Sequence, residues 1–124
     1  MSLLKRTETT ILTVDIYNTD VILLKTQEEI DDFIELNELD PDTYPICNGY
    51  SAWFNHTGTK ATGFVLMSHD WSVPTLVHEC VHVAHFIMKH SGIPINYKNT
   101  EVEAYLVGYL FEQAFNDIFE VEET

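Results

Sequence analysis

Residues 72–92 read SVPTLVHECVHVAHFIMKHSG, and the rest of the chain is organised around this stretch. Ser72 is a favoured N-cap residue, and Pro74 stands in the first helical turn, where its missing N–H does no harm. Gly92 follows the last turn and is a common stop signal. The stretch therefore predicts a helix over residues 73–91. Because this helix is apolar on several sides, we expect it to be central and buried.

Inside the predicted helix, residues 78–82 have the H-E-x-x-H pattern. Residues four apart lie on one helical face, so His78 and His82 project side by side, as two ligands of one tetrahedral metal must. Glu79 is displaced by about 100° from His78, which lets it reach a metal-bound water without taking a ligand position. The pattern indicates a zinc site with a general base beside it. Histidines buried in such a helix would need partners, which favours a metal further.

The composition excludes several kinds of partner. The 124 residues suit a single domain, residues 1–124, and the apolar fraction of 45% is that of a globular protein. The formal charge of −14 leaves no basic patch for nucleic acid or for an anionic membrane surface. No apolar run approaches the ~20 residues that span a bilayer, and no signal peptide is evident. We therefore expect a cytoplasmic protein with free thiols at Cys47 and Cys80, the latter a small core residue.

The remaining pattern predicts an α+β domain, with about four strands in a small antiparallel or mixed sheet and three helices. Thr26 and Glu29 form a capping box at the start of an amphipathic helix, whose acidic side we expect to face solvent. A last apolar helix is expected from residue 99 to about residue 120, followed by a frayed tail. Two hairpins are expected, with strands at residues 9–17, 21–25, 50–56 and 61–69.

Two histidines are too few for a catalytic zinc site, which uses three protein ligands and keeps a fourth position for water. The continuation H-E-x-x-H-x-x-G-x-x-H would supply a third histidine. It is excluded here, because His85 and Met88 stand at its glycine and last histidine positions. A carboxylate from the next helix is the remaining source, and Glu101 and Glu103 both lie at the start of that helix.

The two glutamates differ in the helical face that they occupy. Glu103 would be the N3 residue of a capping box opened by Thr100, which would occupy its carboxylate locally. Glu101 shares its face with the small residues Ala104 and Gly108, which would permit close approach of another helix. The sequence favours Glu101 as the third ligand, with Glu103 as the alternative.

The two motifs together resemble a known class of enzymes. H-E-C-V-H at residues 78–82 followed by N-T-E-V-E-A-Y-L-V-G-Y-L at residues 99–110 is similar to zincins of the gluzincin type. It is more similar still to small metallopeptidases encoded by tailed bacteriophages, which pair H-E-x-x-H with an E-x-x-A-Y segment. In this chain that segment falls on Glu101, Ala104 and Tyr105. The resemblance covers roughly residues 75–110, under a third of the chain.

The resemblance implies a minimal zincin-like domain that hydrolyses a peptide bond, with Zn²⁺ held by His78, His82 and Glu101. Glu79 would be the general base. The peptide or protein substrate, which a host cell would supply if the chain is phage-encoded, would add a strand to a sheet edge. The strand at residues 61–69 is the candidate edge, because it leads into the motif helix. The alternative is a catalytically silent metal-binding phage protein that acts as an interaction module on a host factor.

Two further residues are secondary candidates. Tyr105 lies one helical turn from Glu101, so its hydroxyl is a candidate oxyanion helper, and a core tyrosine is the competing interpretation. His85 lies one turn beyond His82 and is a candidate contact to the site or the substrate, against a buried histidine with a partner of its own. Position alone assigns no role to the other histidines, His56, His69 and His90.

Overall fold

The computed structural model describes residues 2–5, 10–14, 17, 19–36, 49–55 and 62–122. Its fold is α+β, with the three expected helices and the four expected strands. In chain order the elements are β1 (Ser2–Lys5), β2 (Thr10–Val14), β3 (Thr19–Leu24), α1 (Gln27–Leu36), β4 (Tyr50–Asn55), β5 (Thr62–Met67), α2 (Val73–His90), a 3₁₀ turn (Tyr97–Asn99), α3 (Thr100–Ile118) and β6 (Phe119–Glu122).

Four strands form a mixed sheet in the order β2-β3-β5-β4. The pairs β2–β3 and β4–β5 are antiparallel, as the predicted hairpins require. The central pair is parallel, with Val21 opposite Phe64, because the chain passes through α1 and β4 before it returns as β5. β5 is therefore hydrogen-bonded on both sides, and β4 lies at an edge of the described sheet.

Helices cover both faces of this sheet. Alternate side chains of each strand point to opposite faces, so Leu23 and Leu66 meet α2 and α3, whereas Leu24 and Val65 meet α1. On its own buried side, α1 contributes Ile30, Phe33 and Ile34. The acidic residues on its other side are exposed, as the sequence predicts: Glu28, Asp31, Asp32 and Glu35.

Local signals place the ends of α2 where the sequence predicts them. The Ser72 hydroxyl accepts a hydrogen bond from the Thr75 N–H at 3.3 Å. At the other end, the Ile93 N–H donates to the Met88 carbonyl at 2.8 Å, and Gly92 adopts a φ of 74°. This pattern is a Schellman motif, whose left-handed residue is best supplied by glycine. The helix that carries the H-E-x-x-H motif is thus fixed at both ends.

The expectation of a frayed C-terminal tail is wrong for residues 120–122. Together with Phe119, which the sequence predicts to be helical, they form β6, which pairs antiparallel with β1, Ser2 opposite Glu122. The partner lies at the other end of the chain, so no local pattern announces this pairing. None of the described helices combines the length and apolar character that crossing a membrane requires.

A buried ion pair joins the sheet to the end of α3. Lys25 directly follows β3, and its side chain is only 2% exposed. Its Nζ donates to Oδ2 of Asp117 at 2.8 Å, and the Asp117 side chain is 20% exposed. An ammonium taken out of water at this point requires a nearby counter-charge. The pair therefore holds the last turns of α3 against the sheet.

We expect Asp117→Asn to lower the free energy of unfolding by about 2 to 4 kcal/mol, because it removes the negative charge beside a buried ammonium. Denaturant unfolding measures the change as a lower midpoint at constant m value. Glu112→Gln is the matched control, since Glu112 is exposed on the same helix. Equal midpoints for the two variants would show that the ion pair contributes nothing to stability.

Candidate metal centre

His78 and His82 project from the same side of α2, and their rings meet. Nε2 of His78 lies 3.2 Å from Nε2 of His82, and the ring centroids are 4.8 Å apart. Two nitrogens that bind one tetrahedral zinc at 2.0–2.1 Å are separated by about 3.3 Å. The 3.2 Å separation allows a hydrogen bond between the two rings, and it also matches the spacing of two ligands that share one metal ion.

The histidine pair faces solvent, so the expectation of buried imidazoles is wrong. Both residues are exposed, and the His78 side chain retains 67% of its accessible surface. The side of α2 that carries His78, His82 and Lys89 is exposed, whereas the sheet and α3 cover the others. Val73 and Val77, which make the sequence look apolar all round, are themselves 40% and 42% exposed. Burial therefore does not force a metal on the pair, but a metal and a substrate can reach it.

Glu79 is held beside the pair, on the side of α2 that meets β4. Its side chain is 9% exposed. Oε1 accepts a hydrogen bond from the Ser51 hydroxyl at 2.9 Å, and Oε2 lies 3.9 Å from Nε2 of His78. One carboxylate oxygen is thus anchored to the strand, and the other faces the histidines.

Gly49, immediately before β4, allows this close approach of strand and helix. A Cβ at residue 49 would lie 2.4 Å from Cγ2 of Thr75 and 3.2 Å from Oε2 of Glu79. Neither Gly49 nor Ser51 was singled out from the sequence. The two stand on the same side of an extended chain, but nothing in the local pattern says that this side meets Glu79.

His85 and Glu103 connect α2 to α3. Nε2 of His85 lies 2.9 Å from Oε2 of Glu103, and their side chains are 32% and 38% exposed. The predicted capping box between Thr100 and Glu103 does not form, because α3 has Asn99 as its N-cap residue, with no side-chain cap bond. The Glu103 carboxylate is instead directed at α2. His85 is therefore partnered, and its partner is itself a candidate ligand.

Glu101 lies on the other side of α3. Each residue of a helix turns by about 100°, so Glu101 and Glu103, two residues apart, are separated by about 160° around the axis of α3. Glu101 therefore faces away from α2. Glu101, Ala104 and Gly108 are all exposed, and a Cβ at Gly108 would meet nothing within 4 Å. The expectation that this small-residue face approaches another helix closely is therefore wrong. The packed face of α3 is the one that carries Glu103, with Leu106 and Leu110 buried beside it.

Tyr105 shares the exposed side of Glu101. It is 54% exposed and stacks on Tyr109, with ring centroids 6.1 Å apart. It is therefore not a core tyrosine. Like Glu101, it is about 160° round α3 from Glu103, so the structure does not bring its hydroxyl to the histidine pair.

The remaining candidates lie apart from this centre. Cys80 is fully buried on the core side of α2, and burial, with a smaller contribution from the Glu79 charge, raises the pKa of its thiol to about 12. A thiol that stays protonated is a poor metal ligand. His90 bonds to the Phe86 carbonyl, and His69 is exposed. Cys47 and His56 lie outside the described residues.

Across the described ranges, no group of three or more His, Cys, Asp or Glu side chains is close enough together to hold a metal ion. The structure brings together two of the three predicted ligands and the predicted base, and it leaves the third ligand open. No protein-family model, curated protein or solved structure matches this chain.

We expect Gly49→Ala to lower the free energy of unfolding by about 1 to 3 kcal/mol, because the added methyl group overlaps Cγ2 of Thr75. Thr75→Ser removes that Cγ2 and keeps the hydroxyl that bonds to Ser72. The double variant should therefore recover most of the loss in denaturant unfolding. If Thr75→Ser adds its own cost to that of Gly49→Ala, the strand and the helix are not in the close contact described here.

Proposed function

We propose that this protein is a zinc-dependent metallopeptidase of the minimal zincin type. The observation that carries the proposal is the 3.2 Å spacing of the two Nε2 atoms on the exposed side of α2, with Oε2 of Glu79 only 3.9 Å from one of them. When bound by His78 and His82, Zn²⁺ would polarise a substrate carbonyl and lower the pKa of a water toward ~7. The motif pair at residues 78–82 and 99–110 supports the same assignment by resemblance.

Glu79 would act as the general base. Its Oε2 would take a proton from the attacking water and deliver it to the nitrogen of the leaving amine. The Ser51 hydroxyl donates a hydrogen bond to Oε1, so the proton would be accepted and donated by the other oxygen, Oε2. Because Glu79 lies about 100° round the helix from His78, it would do this without taking a ligand position.

A carboxylate from α3 would complete the ligand set, and the geometry supports Glu103 over Glu101. Glu103 points toward α2 and touches His85, one turn after His82. Glu101 faces away from α2, and Tyr105 lies on the same side of α3 as Glu101. Glu103 would leave His85 and turn toward the histidine pair when the metal binds.

The substrate edge differs from the one that the sequence suggests. β5 has hydrogen-bonded partners on both sides, so no strand can be added to it. Among the described strands, β4 lies at the sheet edge next to α2, and it supplies the Ser51 contact to Glu79. An extended peptide added to β4 would lie beside both the base and the histidine pair.

We expect one Zn²⁺ to bind per chain, and the ligand assignments can be separated by two matched variants. Glu103→Gln should weaken zinc affinity by at least about 10- to 100-fold, and Glu101→Gln should leave it unchanged. Competition with a chromophoric chelator measures both. The opposite ranking would return the third ligand to Glu101, as the resemblance implies. Unchanged zinc affinity in His78→Ala would overturn the metal site.

We expect Glu79→Gln to retain bound zinc and to lower kcat by about 10²- to 10⁴-fold, because it removes the proton acceptor. Mass spectrometry of a peptide library incubated with zinc-loaded protein identifies the cleaved bonds and provides the substrate for kinetics. Glu112→Gln, an exposed glutamate on α3, is the control. If the wild type binds zinc yet cleaves no peptide, the interaction-module alternative replaces the enzyme.

A further inference from the structure

We infer that Ser51 is a positioning residue for Glu79. Its hydroxyl fixes one oxygen of the carboxylate, so that the other is presented to the histidine pair. This inference rests on the proposed function. It goes beyond the H-E-x-x-H motif, because it adds a requirement on a strand that lies outside the motif.

The hydrogen bond between Ser51 and Glu79 is short and largely shielded from water. The Ser51 hydroxyl donates to Oε1 of Glu79 at 2.9 Å across 28 residues of chain, from β4 to α2. Glu79 is only 7% exposed, so water competes weakly for this oxygen. Hydrogen bonds to an ionised acceptor are about twice as strong as those between neutral groups. The bond therefore selects one orientation of a side chain that would otherwise sample several.

The same stretch of backbone leaves room for the other oxygen. Gly49 stands two residues before Ser51 and faces the same side of the extended chain. A Cβ at residue 49 would come within 3.1 Å of Cγ and 3.2 Å of Oε2 of Glu79. Ser51 thus holds Oε1, and the missing side chain at residue 49 leaves the space in which Oε2 lies. Nε2 of His78, 3.9 Å away, lies on the side of Oε2.

A positioning role and a purely structural one predict different kinetics. Ser51 touches neither histidine through any described hydrogen bond, so removing its hydroxyl should leave zinc affinity unchanged. The reacting oxygen of Glu79 would be present in Ser51→Ala but no longer held. We expect kcat to fall about 10- to 100-fold while KM stays within about twofold, because misplacing a catalytic group affects the transition state more than substrate binding.

A first experiment tests the contact without catalysis. A double-mutant cycle of Ser51→Ala and Glu79→Ala is measured by denaturant unfolding of the metal-free protein. Because hydrogen bonds to charged groups are the stronger class, the two changes should be coupled by about 10-fold or more in the unfolding equilibrium constant. Additive effects would overturn the inference, since the two side chains would then not interact.

A second experiment tests the role in zinc-loaded protein. Ser51→Thr keeps a hydroxyl on the same carbon and should restore most of the kcat that Ser51→Ala loses. The control is Ser68→Ala, because Ser68 is also a buried serine, whose hydroxyl accepts from the Asp70 N–H in the turn after β5. It should reduce stability and leave kcat unchanged.

The outcomes separate the inference from the function on which it rests. A rise in KM with unchanged kcat in Ser51→Ala, or an equal loss of kcat in Ser68→Ala, would overturn the positioning role while the enzyme stands. A wild type that cleaves no peptide although the cycle shows coupling would overturn the proposed function. In that case the Ser51–Glu79 bond would be a structural contact only.

Discussion

The exposure of the H-E-x-x-H residues depends on which sides of α2 are covered by the sheet and by α3. The sheet meets one side of this helix, α3 meets another, and the side with His78 and His82 is left to solvent. Leu76, Val83 and Ile87 are fully or almost fully buried on the side roughly opposite His78, and their packing fixes the rotation of the helix about its own axis. That rotation determines which motif residues are exposed and which touch a neighbour. The exposure of each motif residue is therefore a consequence of apolar packing on the opposite side.

This enclosure gives the three motif residues different environments. Both imidazoles are exposed, and the His78 side chain keeps 67% of its accessible surface, whereas the carboxylate between them in sequence is almost buried against β4. A ligand benefits from access, because a metal and a substrate must reach it. A base benefits from confinement, because a carboxylate with a fixed orientation loses less freedom in the transition state. The 100° step from one residue to the next on a helix is enough to provide both.

Local signals in the sequence predict the elements well and their neighbours poorly. Ser72, Thr26 and Gly92 bound their helices because caps depend only on residues within a few positions. The pairing of β1 with β6 and the position of β5 inside the sheet depend on contacts between distant segments, so the chosen substrate edge was wrong. The candidate site likewise combines features that local sequence predicts with contacts between distant segments that it does not predict. His78, Glu79 and His82 follow from spacing within one helix, and the Ser51 contact does not.

The face of α3 was misjudged for a related reason. The sequence predicts Thr100 as the N-cap with Glu103 in its capping box, and the small residues near Glu101 predict a helix contact. Large apolar residues decide helix packing, however, and Leu106 and Leu110 are on the side of Glu103. Each step along a helix rotates the side chain by about 100°, so a choice between glutamates two apart selects nearly opposite sides. Only tertiary packing shows which of the two glutamates faces α2.

β4 connects the two halves of the proposed mechanism. Its outer edge is the side to which an extended peptide would add, and its inner side chain at Ser51 holds Glu79. In a strand, backbone groups that bond to a neighbour lie in the plane of the sheet, while side chains project above and below it. The same residues can therefore align a substrate by their backbone and orient the base by a side chain. A shift of β4 along its own direction would disturb both at once. Gly49 permits this placement of β4, because a Cβ at that position would lie 2.4 Å from Cγ2 of Thr75 and 3.1 Å from Cγ of Glu79.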